Sequence, residues 1–162
     1  MKWLISLLLV IPLNAYSYEL YLVRHFEKRL DQADPHLTEQ GIVRAQSLAS
    51  LLADKDLKRI YSTDYKRTQQ TALPTAERTN ISITSYSPLE LEQFAKQIRT
   101  AQQTALVVGH SNTTPQLLAM LGGESKSIAE NEYGELFVLI VLPGKTITQS
   151  VMVGNRQLLT QP

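Results

Sequence analysis

Three segments of the sequence place polar residues directly after short apolar runs. They are residues 24–27 (RHFE), 62–67 (STDYKR) and 109–112 (GHSN). Two of the three histidines in the chain, His25 and His110, lie in these segments. Imidazole is a competent nucleophile near neutral pH, and guanidinium groups present fixed forks that match phosphate geometry. Because ligands bind beyond the carboxyl ends of strands in open α/β sheets, the segments predict a single ligand site.

The elements that would position these segments alternate along the chain. Strands are predicted at residues 19–23, 57–61, 81–86 and 104–108, and a closing hairpin at 135–142 and 146–153 around residues 143–144. Segments in which apolar residues recur at helical spacing lie between the first four strands. This alternation predicts an α/β fold, a three-layer α/β/α sandwich with a mostly parallel, mixed sheet.

The helix boundaries are predicted from capping and proline signals. Thr38 is expected to cap the first helix, and Asp64 is expected to cap the second. The apolar face of the first helix is predicted to consist of Ile42, Ala45, Leu48, Ala49 and Leu52. Pro88 is predicted to open the third helix and Pro115 the fourth.

Composition limits the classes of protein to consider. The chain of 162 residues has a hydrophobic fraction of 43% and a charged fraction of 19%, which is ordinary for one globular domain. It has no cysteine, which excludes disulfides, thiolate zinc sites and a cysteine nucleophile. A net charge of +1 gives no electrostatic argument for a nucleic-acid partner.

The first seventeen residues have the pattern of a secretory signal peptide. A lysine precedes an apolar run over residues 3–13, and small residues stand at Ala15 and Ser17. The run is shorter than the roughly 20 apolar residues of a membrane span, so no stable span is expected after processing, although an uncleaved anchor is the alternative. We therefore expect a signal peptide at 1–17, one domain at 18–162, and a periplasmic or secreted location.

Four motifs in order resemble the histidine phosphatase superfamily, branch 1, the phosphoglycerate-mutase-like group, in its small single-domain form. The matching stretches are residues 22–27 (LVRHFE), 37–45 (LTEQGIVRA), 61–72 (YSTDYKRTQQTA) and 107–112 (VVGHSN). Each motif alone is weak, whereas their common order and spacing make the resemblance specific. It implies a phosphoglycerate-mutase-like fold.

The resemblance also implies an activity and the residues that carry it. A member of this family would hydrolyse phosphomonoesters through a phosphohistidine intermediate on His25. Arg24, Arg67 and His110 would form the phosphate pocket and stabilise the transition state. No metal and no cofactor are implied. The partner would be a small-molecule phosphate ester, for example an envelope sugar phosphate, and a phosphohistidine protein is another family precedent.

The motifs leave the proton donor open among four carboxylates. In larger family members the donor comes from the segment between the arginine and the second histidine, which makes Glu90 the first candidate and Glu92 the second. Asp31 and Asp34, in the loop after the nucleophile, are the alternatives.

Two departures from the family pattern bear on the site. Phe26 stands where the commonest motif has glycine, and its ring is expected to wall the pocket, grip an apolar part of the substrate or narrow access. The stretch between Arg67 and His110 is short and lacks a large inserted cap. An open site favours a phosphatase over a mutase, because a mutase must shield its phosphohistidine from water.

Two other interpretations compete with the enzyme. The first is a catalytically weak or inactive member that retains the anion pocket and binds phosphate esters. The second is a metal-dependent hydrolase built on His25, His36 and His110, for which the sequence lacks an HxxxH or HxH ligand pair. His36 is otherwise expected to lie on the surface.

Overall fold

A computed structural model describes residues 17–154, which contain alternating strands and helices. The strands are β1 (Tyr18–Arg24), β2 (Arg59–Ser62), β3 (Ile83–Ser85), β4 (Ala105–Gly109), β5 (Glu135–Leu142) and β6 (Lys145–Met152). The helices are α1 (Glu39–Leu51), α2 (Lys66–Thr79), α3 (Leu91–Ala101) and α4 (Thr113–Met120). The expected signal peptide lies outside the described residues except for Ser17. Within residues 17–154, no helix is both long and apolar enough to cross a membrane.

The strands form one sheet in the order β3-β2-β4-β1-β5-β6. The pairs β1–β4, β2–β4 and β2–β3 are parallel, whereas β5 runs antiparallel to both β1 and β6. The predicted mixed, mostly parallel sheet is therefore confirmed. Since β2, β4 and β1 are neighbours and run in the same direction, the three polar segments leave the sheet at the same edge.

Each face of the sheet is covered by two helices. Side chains of Phe94 in α3 and Leu118 in α4 belong to the hydrophobic cluster on one face. Leu48 in α1 and Ala72 in α2 belong to the cluster on the other face. Consecutive residues of β1 contribute to opposite clusters because strand side chains alternate between the faces. This arrangement confirms the three-layer sandwich.

The start of α1 is fixed by a cap and by a close backbone approach. The hydroxyl of Thr38 accepts a hydrogen bond from the backbone amide of Gly41 at 3.2 Å, as the capping signal predicts. A Cβ atom at Gly41 would lie 2.4 Å from the carbonyl oxygen of Glu27, so glycine lets the helix contact the first loop. The predicted apolar face is confirmed at Ala45, Leu48, Ala49 and Leu52, which are buried. It is wrong at Ile42, which is 44% exposed, because the buried stripe runs through Gly41 instead.

The other helices begin a few residues from their predicted starts. The N-cap of α2 is Tyr65 rather than Asp64, and no side chain caps it. Pro88 lies in a turn before α3, and Pro115 lies inside the first turn of α4. A proline is tolerated there because the first amides of a helix have no partner within the helix.

Candidate active site

A cleft of about 360 Å³ lies at the carboxyl edge of the sheet, where β1, β2 and β4 end. Arg24, His25, Arg67 and His110 all line it, so the fold brings the four residues singled out in the sequence together. Arg24 and His25 are 2% and 3% exposed and form the floor. The cleft thus combines two cations and two imidazoles in a largely buried setting.

The backbone fixes the orientation of the His25 ring. Its Nδ1 lies 2.8 Å from the carbonyl oxygen of Phe26, and its amide donates to the carbonyl of Gly109 at 2.9 Å. A carbonyl can only accept, so Nδ1 carries the proton and Nε2 keeps its lone pair. Burial, aided by the positive charge of Arg24, lowers the pKa of His25 to about 3. The imidazole is therefore neutral at physiological pH, with Nε2 as its nucleophilic atom.

The guanidinium group of Arg24 is held by a loop from the distant part of the chain. Its Nη1 donates to the carbonyls of Ala129 at 2.7 Å and Glu132 at 2.8 Å. Its Nη2 lies 3.1 Å from the carboxylate of Glu130, and the ring of Tyr133 stacks 4.3 Å from the guanidinium carbon. The Nε atom is buried without an acceptor among the described residues.

Arg67 is anchored in a similar way on the opposite side of the cleft. Its Nη1 lies 3.5 Å from Asp34, and the ring of Tyr65 lies 4.5 Å from the guanidinium carbon. Its Nε is also buried with no acceptor within residues 17–154. A buried N–H without an acceptor is costly. Both arginines line the cleft, so their positive charges favour binding of an anion there.

A chain of hydroxyl groups sets the proton on His110. Its Nε2 lies 2.9 Å from Oγ1 of Thr63, which lies 3.0 Å from Oγ1 of Thr68. The Thr68 hydroxyl is 2.9 Å and 2.8 Å from the backbone carbonyls of Thr63 and Tyr65. Because Thr68 gives its only proton to a carbonyl, Thr63 donates to Thr68 and accepts from Nε2–H of His110.

The two histidine rings lie close enough to act on one ligand. The centroids of His25 and His110 are 5.6 Å apart. Burial lowers the pKa of His110 to about 4, and the charges of Arg67 and Arg24 act in the same direction. Because Nε2–H of His110 donates its hydrogen bond to Thr63, the ring can donate to a ligand oxygen only after it takes up a second proton. A bound anion would favour this protonation.

None of the four carboxylates predicted as proton donors lines the cleft. Glu90 borders a separate small cavity beside α3, Glu92 lies in the first turn of that helix, and Asp31 is exposed. Asp34 comes nearest, since it contacts the guanidinium of Arg67. The role assigned to Glu90 stays a prediction, and its position gives that role no support.

One carboxylate that the sequence did not single out does line the cleft. Glu130 accepts a hydrogen bond from the hydroxyl of Ser111 at 2.6 Å and pairs with Arg24. It comes from the segment between α4 and β5, which contains no motif. The position of Glu130 in the cleft becomes clear only from the way this segment folds back to the end of β1.

Phe26 does not wall, narrow or extend the cleft, so the expectation for its ring is wrong. The side chain is 0% exposed and packs in the core between the sheet and helices α1 and α2. Its backbone contributes instead, because the carbonyl orients His25 and the amide donates to Thr71 at 3.1 Å. The neighbouring Glu27 binds Arg44 at 2.6 Å and thereby ties the first loop to α1.

The third histidine and possible metal sites lie outside this arrangement. His36 is exposed, and its Nδ1 lies 2.8 Å from the amide nitrogen of Gln70. Within residues 17–154, no group of three or more His, Cys, Asp or Glu side chains is placed to hold a metal ion.

Solved structures share this fold. The protein histidine phosphatase SixA, complexed with tungstate, has a TM-score of 0.68 at 17% identity, over 83% of this chain and 96% of that one. A mycobacterial glucosyl-3-phosphoglycerate phosphatase has a TM-score of 0.64 at 13% identity, over 85% and 98%. A phosphoglycerate mutase from Bacillus anthracis has a TM-score of 0.65 at 18% identity, over 85% and 93%. At these identities the likeness concerns the fold.

Sequence comparison adds a match to a family model over part of the chain. No curated protein matches the chain. Residues 20–90 match the family model of the histidine phosphatase superfamily, branch 1. This stretch contains β1 with the arginine–histidine pair, α1, and the start of α2 with the second arginine. Over this stretch the chain is similar to the histidine phosphatase superfamily, branch 1.

Proposed function

We propose that the protein is a phosphomonoesterase that transfers a phosphoryl group first to Nε2 of His25 and then to water. One observation carries this proposal. The His25 imidazole is buried and neutral, its Nδ1–H is fixed on a backbone carbonyl, and its Nε2 lone pair lies in a cleft lined by two arginines. A nucleophile with this tautomer needs no deprotonation before it attacks phosphorus.

The transition state would be stabilised by the groups around His25. Charge spreads over the phosphoryl oxygens as the bond to the leaving group breaks. The guanidinium groups of Arg24 and Arg67 are held by hydrogen bonds and ion pairs before the substrate arrives. Loss of such a prearranged donor typically costs about 2.7–4 kcal/mol of transition-state stabilisation. His110, once protonated, would add a further donor.

The open cleft supports hydrolysis rather than transfer to a second substrate. The described chain between Arg67 and His110 consists of α2, β3, α3 and β4 with short connections, and it inserts no domain over the cleft. Water can therefore reach a phosphohistidine on the floor. A mutase shares the fold, so this feature, and not the fold, favours a phosphatase.

The test is release of phosphate from nitrophenyl phosphate by the purified mature protein. We expect His25→Ala to lower kcat/KM by at least about a thousandfold, because the substitution removes the imidazole that attacks phosphorus. His36→Ala, at the exposed third histidine, is the matched control and should retain activity. A chelator should have no effect.

Three results would contradict the proposal. One is undiminished hydrolysis by His25→Ala, and another is loss of activity on chelation that zinc restores. The third is binding of phosphate esters by calorimetry without turnover, which would instead support the non-catalytic member of the family.

We also propose that the protein acts outside the cytoplasm on a small phosphate ester, with an envelope sugar phosphate as the first class to screen. The support is the signal-like pattern of residues 1–17 and the start of β1 at Tyr18, so that cleavage after Ser17 would leave the sheet complete. N-terminal sequencing of the protein from the periplasmic fraction should begin at Tyr18. A chain that begins at Met1 would contradict cleavage.

A further inference from the structure

The carboxylate of Glu130 lies at the mouth of the cleft, above the buried floor. One oxygen accepts the hydroxyl of Ser111 at 2.6 Å, and the other lies 3.1 Å from Nη2 of Arg24. The side chain of Glu130 is 78% exposed, whereas that of Arg24 is 3% exposed. Glu130 therefore connects the phosphate-binding floor with the solvent side of the cleft.

The backbone around Glu130 is fixed although its side chain is exposed. Ala129 and Glu132 form a turn in which the Glu132 amide donates to the Ala129 carbonyl at 3.0 Å. The Glu132 carboxylate accepts the Ala129 amide at 2.8 Å, and Arg24 binds both carbonyls. The side chain can thus move within the cleft mouth while its Cα stays in place.

The direction of attack places the leaving group near this carboxylate. His25 lies on the floor, and attacking and leaving atoms lie roughly in line on opposite sides of phosphorus. The leaving oxygen must then point toward the mouth, where Glu130 lies. Asp34 is the nearest competing carboxylate, but the amide of Lys66 at 3.1 Å and the guanidinium of Arg67 hold it at the side of the cleft.

We propose that Glu130 is the acid–base residue of the reaction, an assignment that rests on the proposed phosphatase function. In the first step Nε2 of His25 bonds to phosphorus, and the electron pair of the P–O bond goes to the leaving oxygen, which takes the proton of Glu130. In the second step water attacks phosphorus and gives a proton to Glu130. The P–N electron pair returns to Nε2, which releases inorganic phosphate and restores the protonated carboxyl group.

The surroundings of Glu130 account for how it gains its first proton. The Ser111 hydroxyl and the charges of Arg24 and Lys28 hold the pKa of Glu130 below its usual range, so the free site contains a carboxylate. A phosphate ester beside it opposes that negative charge and raises the pKa. A monoanionic ester also brings the proton with it.

The test compares leaving groups. Nitrophenolate leaves without a proton, whereas the alkoxide of glycerol 2-phosphate needs one. We expect Glu130→Gln to lower kcat/KM for glycerol 2-phosphate by about a hundredfold or more, and for nitrophenyl phosphate by less than about fivefold. Glu77→Gln, on the exposed part of α2, is the matched control for the same substitution and should change neither value.

Other patterns would overturn the assignment. An equal loss with both substrates would mean that Glu130 only positions Arg24, and an equal gain would mean that it competes with phosphate for that arginine. A large loss with glycerol 2-phosphate and a small loss with nitrophenyl phosphate in Asp34→Asn or Glu90→Gln, but not in Glu130→Gln, would assign the acid–base role to that other carboxylate. A wild-type protein inactive on both substrates would overturn the proposed function itself, and thermal unfolding would show whether each variant is folded.

Discussion

The floor and the mouth of the cleft differ in burial, in origin and in what they can contribute. The floor consists of Arg24 and His25, which are almost completely buried and lie at the carboxyl end of β1. The mouth carries Glu130 and Leu89, which is 93% exposed, on connections between helices and strands. In the proposed mechanism, rigid strand ends hold the groups that act on phosphorus, whereas an exposed loop carries the residue that protonates the leaving group.

The buried part of the cleft, which is the floor together with Arg67, should be the part most sensitive to substitution. The proposed mechanism makes Arg67 a donor to the phosphoryl oxygens, so we expect Arg67→Ala to lower kcat/KM for nitrophenyl phosphate by about a hundredfold to a thousandfold. Arg78→Ala, at the exposed end of the same helix, is the matched control and should stay near wild type. Steady-state kinetics on both variants gives the two kcat/KM values. A loss of less than about tenfold in Arg67→Ala would contradict the proposed difference between the buried part of the cleft and its mouth.

The burial of the floor should also appear in the pH dependence of stability. The folded protein lowers the pKa of His25 to about 3, below the ordinary value near 6.5, so protonation favours the unfolded chain. The stabilisation by neutral His25 is complete above pH 6.5 and is lost as the pH falls toward 3. Between pH 7 and pH 5 the loss is about 2 kcal/mol.

Urea unfolding at several pH values isolates this contribution. The difference in unfolding free energy between wild type and His25→Gln should shift by about 2 kcal/mol from pH 7 to pH 5. His36→Gln, at the exposed histidine, should show no such shift. If the unfolding free energies of wild type and His25→Gln changed in parallel with pH, the floor would not exclude the charged imidazole.

The mouth should tolerate the loss of an apolar side chain. Leu89→Ala is expected to change stability by less than about 0.5 kcal/mol, because the residue is almost fully exposed. Hydrolysis of glycerol 2-phosphate should stay within about twofold. For larger esters with apolar leaving groups, we expect any effect of Leu89→Ala to appear in KM and not in kcat. A large loss of kcat with small substrates would make Leu89 part of the catalytic arrangement and blur the distinction between the two regions.

The sequence predicts the floor better than the mouth for a physical reason. Arg24, His25 and His110 follow strands whose apolar runs are visible locally, and parallel pairing of adjacent strands brings their ends together. Phe26 shows the limit of this reasoning, since the motif places the residue without showing which face of the sheet its ring packs on.

The mouth depends on contacts that no local pattern reveals. Glu130 reaches Arg24 across 106 positions of sequence, and the turn that carries it is held by that same arginine. Glu90 lies at the start of an amphipathic helix whose apolar face determines its direction, so its carboxylate lies beside another cavity. Long-range hydrogen bonds rather than local propensity thus decide which carboxylate lines the cleft.

Direct detection of the phosphorylated enzyme tests the central claim. Wild-type protein would be mixed with 32P-labelled glycerol 2-phosphate, quenched in alkali within milliseconds, digested and analysed by mass spectrometry. The account predicts a phosphoryl group on the peptide that contains His25, stable in alkali and lost in acid, and absent from His25→Ala. Phosphate release in the first turnovers without any label on His25, or label on another residue, would contradict it.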